Sequence, residues 1–384
     1  MSSLPLDEFT VLDLSSVGPA ARAARILADY GGTVVKISPP RRKGTVQIEP
    51  PYFAYGAARG YRKLRIDLKA AEGRALFLRL AERADVLIES FRPGVMARLG
   101  LGYDDVRSVN ERIVYCSTSG YGQSGPYASW AGHDLNYLAL GGYLHCSGRA
   151  AEGGPALPGA TIADAAAGGM HAALAILAAL LRREREGTST YLDVAVTDGV
   201  LSLMSLHVDE HLATGVEPGP RHDLLTGRYA CYDLYPAADG RWLAVAAIEP
   251  AFFANLCKAL GLEQWIPYQL EDAHQDEIRA AFREVFARRS RDEWVAELAP
   301  AGTCVSPVSS IPELVRDPHL ESRGAFVEIE DPAQGRFRQL GALLAGSERR
   351  GHPPRAETDT RELLADLDLA AGEIEALHAA GVVE

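Results

Sequence analysis

Short apolar segments alternate with longer amphipathic segments along the first 200 residues of the chain. The apolar segments TVLDLS, TVVKIS, DVLIES and IVYCSTS have the length and composition of buried strands. Between them lie segments such as GPAARAARILADYGG and KAAEGRALFLRLAERA, in which apolar residues recur with helical spacing. Pro19 near its start and Gly31 and Gly32 at its end mark the first of these helices. The alternation predicts an α/β fold with a mostly parallel, doubly wound sheet.

The pattern changes after residues 201–225, which we predict to be a linker. The segment RYACYDLYPAADGRWLAVAAI predicts a β-hairpin around its Ala-Asp-Gly turn. Helical segments follow it, and Ser290 and Glu293 form the capping-box pattern of a helix start. We therefore predict a large domain beginning with residues 1–200, a smaller α+β domain over 226–315, and a return linker with a C-terminal part over 316–384.

Composition and charge narrow the possible partners. The 384 residues carry a formal net charge of −12, which argues against nucleic acid because phosphate binding needs a basic face. The five cysteines are widely spaced without a CxxC pair, and the N-terminus lacks a signal-peptide pattern, so we expect a cytoplasmic protein. The longest apolar stretch, residues 165–181, is rich in alanine and glycine and predicts a buried core helix rather than a membrane span.

Basic residues cluster locally in this acidic chain. Between residues 36 and 69 nine lysines and arginines stand against two acidic residues, Glu49 and Asp67. Such a cluster can hold a polyphosphate through charge-assisted hydrogen bonds, and it can equally be a solvated loop face. No GxGxxG or Walker sequence is present, so NAD, FAD and P-loop chemistry are unsupported.

Three polar residues are acid/base candidates: His133, Asp164 and Glu249. His133 lies in the polar segment AGHDLNY, where the alternative is a hydrogen-bonded structural histidine. Asp164 falls in the first turn of the long apolar helix, with Thr161 as the predicted N-cap, and the alternative is stabilisation of the helix N-terminus. Glu249 precedes Pro250 at a predicted strand end, where a helix cap competes with a role in orienting a histidine.

Five segments together resemble the family III CoA-transferases over nearly the whole chain. In order they are GPAARAARILADYGGTVVKI, DLKAAEGRALFLRLAERADVLIESFRPGVMARLGLGY, WAGHDLNYLALGGYLHCSGR, GATIADAAAGG and AAIEPAFF. Within the family the chain resembles the α-methylacyl-CoA racemase branch, because the transferases usually carry a tyrosine where this chain has His133. This resemblance implies that His133 and Asp164 form the catalytic pair and that Glu249 supports the histidine.

The resemblance also implies a site for CoA. The positions that match those holding adenine, ribose phosphate and pyrophosphate are Ile66, Asp67, Leu68, Lys69, Ser90, Phe91, Arg92 and Arg98. Those that match the pantetheine and thioester segment are Gly132, Asp134, Leu135, Asn136 and Tyr137, next to His133. The racemases usually have an arginine in a DRP sequence after the second strand. This chain has SPP there, followed by Arg41 and Arg42, so that phosphate contact has either moved to these arginines or been lost.

The implied activity is epimerisation at C2 of a 2-methylacyl-CoA, within lipid and fatty acid metabolism. CoA would be part of the substrate, with no metal or redox cofactor required; HVDEH matches the H-x-x-E-H zinc pattern but lacks an evident third ligand. The alternatives are a CoA-transferase working through a mixed anhydride on Asp164 and, outside catalysis, an acyl-CoA carrier. The resemblance further implies an interlocked homodimer, with the C-terminal part completing a large Rossmann-like domain and the partner chain supplying Glu249.

Overall fold

The computed structural model describes residues 4–15, 17–41, 58–331, 335–348, 351–353 and 358–384. Its strands are β1 (Thr10–Asp13), β2 (Thr33–Ser38), β3 (Arg62–Arg65), β4 (Val86–Glu89), β5 (Val114–Ser119), β6 (Thr190–Ala195), β7 (Tyr232–Pro236), β8 (Trp242–Ala246), β9 (Val305–Pro307), β10 (Phe326–Asp331) and β11 (Gly335–Leu340). Its α-helices are α1 (Pro19–Asp29), α2 (Ala71–Glu82), α3 (Val95–Arg98), α4 (Tyr103–Val109), α5 (Asp134–Leu140), α6 (Tyr143–Cys146), α7 (His171–Glu186), α8 (Val196–Leu203), α9 (Ser205–Thr214), α10 (Pro250–Leu260), α11 (Gln275–Phe286), α12 (Arg291–Leu298), α13 (Ile311–Leu314), α14 (Pro318–Ser322), α15 (Thr360–Ala365) and α16 (Ala371–Ala379). A π-helical segment, Ala163–Met170, runs directly into α7.

Strands β1 to β6 form a single parallel sheet in the order β3-β2-β1-β4-β5-β6. The strand order reverses between β1 and β4, and the helices between the strands cover both faces. The predicted doubly wound α/β fold is therefore confirmed. In such sheets ligands bind outside the carboxyl ends of the strands, next to the point where the order reverses.

Each face of this sheet carries its own hydrophobic core. On one face Phe77 of α2 and Met96 of α3 pack with Leu364 of α15 and Ile374 of α16. The C-terminal segment therefore closes this core. On the other face α1 and α7 supply buried alanines, leucines and isoleucines. Among the described residues one helical stretch, Ala163–Glu186, is long and apolar enough to span a membrane by length and composition, and part of it is packed into this second core.

The edge strand β3 has no strand pattern in its sequence, and its partners lie near the C-terminus. Its residues RKLR include a single apolar side chain. Asp366 accepts a hydrogen bond from the Arg62 guanidinium at 3.0 Å, and Asp359 accepts one from the backbone N–H of Lys63 at 2.8 Å. Long-range polar contacts, together with pairing to β2, thus hold this strand in place.

Two compact units make up the chain. One comprises Met1–Gly142, Pro158–Val208 and Pro318–Glu384, and the other comprises Tyr143–Leu157 and Asp209–Asp317. In the second unit β7, β8 and β9 form an antiparallel sheet that shares a core with helices α10 to α12. The segment Tyr143–Leu157 belongs to this unit, although the sequence-based boundaries place it in the large domain. Its His145 lies 3.7 Å from Glu217 of the same unit.

Close crossings of three helical segments fix the region around Asp164. A Cβ on Gly168 would lie 2.4 Å from the Cβ of Pro19 in α1. A Cβ on Gly199 of α8 would lie 1.9 Å from the carbonyl oxygen of Ala167. Only glycine permits this proximity of backbones, and the start of the long helix is thereby locked between α1 and α8.

Candidate active site

Asp164 lies at the start of the segment Ala163–Met170, beside the amino-terminal end of α1. A Cβ on Gly18 would lie 3.7 Å from Asp164 Oδ2, so the glycine leaves room for the carboxyl group. Burial raises the pKa of Asp164 above its ordinary value, and the charge of Asp134 raises it further. The charges of Arg22 and His133 act in the opposite direction. The net effect is a pKa above the ordinary value of an aspartate.

His133 directly precedes α5 in an extended conformation. Its backbone N–H donates to the side-chain oxygen of Asn136 at 3.0 Å, which fixes the entry into the helix. A structural histidine is ordinarily buried and hydrogen-bonded, whereas the His133 side chain is exposed. The imidazole is therefore accessible to a ligand, and its charge is felt at Asp164.

Asp134 connects these two helix starts. Its Oδ1 accepts a hydrogen bond from the backbone N–H of Asp164 at 2.8 Å. The predicted cap, Thr161, is wrong: its hydroxyl accepts a hydrogen bond from the Arg22 guanidinium at 2.8 Å. A side chain brought close by the crossing of α1 thus engages Thr161, and an aspartate from α5 binds the helix start instead.

Four aromatic side chains in the loop before α5 and within α5 contact one another. We call them the aromatic wall: Tyr121, Tyr127, Trp130 and Tyr137. The ring centroids of Tyr121 and Tyr137 are 5.3 Å apart in an edge-to-face arrangement. The Tyr137 hydroxyl donates to the carbonyl oxygen of Gly132 at 2.6 Å. Burial raises the pKa of Tyr137 to about 12, so this hydroxyl remains a donor at neutral pH. The wall fixes the loop that presents His133.

Unpaired cations follow the carboxyl ends of β3 and β4 along the chain, next to the core that contains α2 and α3. Lys69, Arg92 and Arg98 are exposed and form no ion pair within the described ranges. Leu68 and Phe91 pack their side chains against the core beneath. Cations at the ligand-binding edge of a parallel sheet are suited to bind an anion through charge-assisted hydrogen bonds.

Glu89, at the end of β4, organises the loop that bears two of the predicted CoA contacts, Ser90 and Arg92. Its Oε2 accepts the backbone N–H of Phe91 at 2.7 Å. Burial raises the pKa of Glu89, and hydrogen bonds from Ser117 and Phe91 oppose the shift. The buried carboxyl group thus holds the start of the loop to the sheet. Ile66 pairs with Val383, and Asp67 Oδ1 accepts the backbone N–H of Lys69 at 3.0 Å, which shapes the loop after β3.

Several cations of the basic strip, residues 36–69, are paired within the described part of the protein. Lys36 is buried and bound to Asp13 at 2.9 Å, Arg59 to Asp29 at 2.8 Å, and Arg65 lies 3.8 Å from Glu384. These cations are therefore neutralised by the protein itself. Arg41 is exposed, with its backbone N–H bonded to the Glu384 carboxylate, and Arg42 lies outside the described residues.

The HVDEH segment is engaged in contacts of its own. Glu210 pairs with His222 at 2.8 Å, and Nδ1 of His211 donates to the carbonyl oxygen of Val216 at 2.7 Å. Across the described part of the chain no three His, Cys, Asp or Glu side chains are grouped so that they could hold a metal ion.

Comparison with known proteins decides the family. The sequence profile of CoA-transferase family III matches residues 6–360. The chain belongs to CoA-transferase family III. Members of this family with two different activities are similar to it.

Alpha-methylacyl-CoA racemase of Homo sapiens is 36% identical over 329 residues, covering 85% of this chain and 84% of the human protein. Succinyl-CoA–D-citramalate CoA-transferase of Chloroflexus aurantiacus is 30% identical over 387 residues, covering 94% of each chain. The crystal structure of a CAIB/BAIF family protein from Brucella suis superposes with a TM-score of 0.82 at 27% identity, covering 96% of this chain and all of the other. Membership in family III therefore leaves racemase and transferase activity to be decided by the site.

Glu249 lies in the second unit of this family III protein, at the residue before α10. Pro250 is the first residue of that helix, as predicted, but the Glu249 side chain makes no capping hydrogen bond. Glu249 is thus the N-cap residue by position, while its carboxylate is not used for capping. The carboxylate is exposed, and its charge raises the pKa of Cys304 together with burial, which is the larger cause.

Sequence reasoning missed Arg22 and Glu89. Arg22 acts on Asp164 through the fold, and no local pattern in α1 distinguishes it from Arg25. Glu89 could have been found, since a carboxylate that ends an otherwise apolar strand of a parallel sheet stands at the ligand-binding edge.

Proposed function

We propose that this family III protein interconverts the (R) and (S) forms of a 2-methylacyl-CoA thioester by moving the proton at C2. The observation that carries the proposal is the link, through Asp134, between an exposed histidine and a partly buried carboxyl group whose pKa is raised by burial. Inversion needs one proton acceptor and one proton donor. The racemases among its relatives support the same activity.

His133, as neutral imidazole, removes the C2 proton from one enantiomer. The electron pair of the C–H bond forms the enolate, and the negative charge moves to the thioester oxygen. Protonated Asp164 then delivers its proton to the opposite face of C2, which leaves imidazolium and carboxylate. The reverse reaction exchanges the two roles. The first two N–H groups of α5, those of Asp134 and Leu135, have no acceptor within the helix and would be the donors to the enolate oxygen. The N–H of Asn136 already donates to the carbonyl oxygen of His133 at 2.8 Å.

A CoA-transferase is the second candidate, favoured by relatives with that activity. There the Asp164 carboxylate would attack the thioester carbonyl, expel CoA thiolate and form a mixed anhydride. The transferase route has no proton-transfer role for the exposed His133, which Asp134 links to Asp164. We therefore prefer the racemase.

The deciding experiment incubates single enantiomers of several 2-methylacyl-CoA thioesters with the protein in deuterated water. We expect deuterium at C2, observed by mass spectrometry, together with loss of optical purity. Absence of exchange across the set, with hydroxylamine trapping at Asp164 in the presence of acyl-CoA, would establish the transferase instead.

We propose that the protein works as an interlocked cytoplasmic homodimer in which Glu249 of one subunit orients His133 of the other. Large exposed leucines on α7 to α9, such as Leu174 and Leu206, with 69% and 60% of their surface exposed, support burial against a second copy. The five cysteines are free, as in a reducing compartment. Light scattering should give twice the 41.3 kDa chain mass.

Alanine in place of Arg98 should weaken CoA binding about tenfold, because a charge-assisted hydrogen bond to phosphate is lost. Isothermal titration with CoA measures the affinity. Arg107→Ala, which removes an exposed arginine of α4, is the matched control and should bind as the wild type does. Equal affinity of both variants would place the phosphates elsewhere.

Asparagine in place of Asp164 should raise the melting temperature at neutral pH but not in acid. The folded-state pKa of Asp164 lies above its unfolded value, so the wild type loses stability as pH rises through these values, and the variant does not. Thermal unfolding followed from pH 4 to pH 8 tests the sign. A difference that is the same at every pH would contradict it.

A further inference from the structure

Asp134 lies where the two candidate bases meet. It is the first residue of α5, directly after His133, and its Oδ1 is 2.8 Å from the backbone nitrogen of Asp164. A single carboxylate therefore ties the turn that carries His133 to the helix start that carries Asp164. The side chains of Asp134 and Asp164 are both partly buried, so their mutual repulsion is only partly screened by water.

The position of Asp164 at a helix start creates an electrostatic conflict. The N–H groups at the beginning of a helix favour an ionised carboxylate, whereas proton delivery requires the acid form. The Asp134 carboxylate accepts one of these N–H groups, and its negative charge raises the pKa of Asp164. The charge of Asp134 thereby offsets the preference of the helix N–H groups for an ionised Asp164, and it raises the Asp164 pKa in the same direction as burial does.

The other groups around Asp164 do not serve this purpose. From α1, Arg22 favours the ionised form, and so does His133 when it is protonated. Tyr137 of α5 remains neutral at physiological pH because its pKa is raised to about 12. The surface of α8 that packs on this segment presents Val196 and Gly199. Among the described charged groups, Asp134 is thus the one whose charge opposes ionisation of Asp164.

We propose that Asp134 is a positioning residue, whose side-chain carboxylate sets the spacing of His133 and Asp164 and whose negative charge disfavours ionisation of Asp164. The effect on turnover rests on the proposed racemase function, whereas the effect on protonation does not. The resemblance to the family implies that Asp134 lies beside the thioester of the substrate. The role proposed here is a different one, because it belongs to the side-chain carboxylate and its hydrogen bond with the Asp164 backbone.

The test compares Asp134→Asn with the wild type. Asparagine keeps the shape and the accepting oxygen but removes the charge. Coupling of glycine ethyl ester by carbodiimide modifies protonated carboxyl groups, and peptide mass spectrometry reports its pH dependence at Asp164. We expect the midpoint at Asp164 to fall by about one pH unit, which is a tenfold change in the protonated fraction above the midpoint. The rate of C2 exchange should fall at high pH where Asp164 loses its proton, and the midpoint of that fall should move by the same amount.

Asp104→Asn, in the exposed first turn of α4, is the control for loss of one negative charge and should leave the midpoint unchanged. Asp134→Ala removes the acceptor as well and should slow exchange more than Asp134→Asn does, at the same folded fraction by circular dichroism. An unchanged or higher midpoint in Asp134→Asn overturns the inference. A lowered midpoint in a protein that exchanges no C2 proton supports it and removes the racemase instead.

Discussion

Alanine at His133 should abolish interconversion of both enantiomers while one of them still exchanges its C2 proton with solvent. With two bases on opposite faces, loss of one blocks inversion in either direction. The remaining Asp164 can still remove and return a proton on its own face, so deuterium enters that enantiomer without loss of optical purity. Asp164→Ala should show the complementary preference. We expect interconversion to fall by about 10³-fold in each variant, the usual contribution of a positioned acid or base.

The measurement is separation of enantiomers on a chiral phase combined with mass spectrometry of C2 deuterium. His319→Ala is the matched control, because His319 is an exposed histidine on α14 and its interconversion rate should equal that of the wild type. If His133→Ala and Asp164→Ala both retained interconversion, the two-base assignment would be wrong. If both lost exchange with either enantiomer, the residues would act on a single face.

The sequence was sufficient for the elements whose apolar pattern is local. Helix α1 begins at Pro19 and ends before Gly31, whose φ of 107° is open to glycine, so the residues that start and stop it lie beside it. Strand β3 could not be found in this way. Hydrogen bonds to Asp359 and Asp366, about 300 positions further along the chain, hold β3 in place, and the residues of the strand itself are mostly charged.

The residues of the candidate site can likewise be separated into those that the sequence predicts and those whose contacts depend on the fold. The resemblance to a family predicts the pairing of His133 and Asp164. Local pattern places Asp164 in the first turn of a helix but does not predict the helix that starts after His133. Which side chain neutralises which is a property of the fold. Lys36 pairs with Asp13, so this cation of the basic strip is not free to bind an anion, and Thr161 accepts a hydrogen bond from Arg22 instead of capping the helix. The bond from Asp134 to Asp164 joins residues 30 positions apart with no signal in the sequence.

Alanine at Gly199 should cost about 3 kcal/mol of folding free energy and most of the activity. The new Cβ would lie 1.9 Å from the carbonyl oxygen of Ala167, a backbone atom that cannot turn away as a side chain can. Helix α8 and the segment Ala163–Met170 must then separate, and this displaces Asp164 relative to His133.

Gly372→Ala is the matched control, since it adds a methyl group within α16 with nothing within 4 Å, and better helix propensity should leave stability equal or slightly higher. Chemical denaturation of both variants measures the difference, and equal midpoints would show that the crossing yields without strain. A Gly199→Ala protein that folds but has lost interconversion would demonstrate that the spacing of the two helix starts, and not the presence of the two bases alone, determines the reaction.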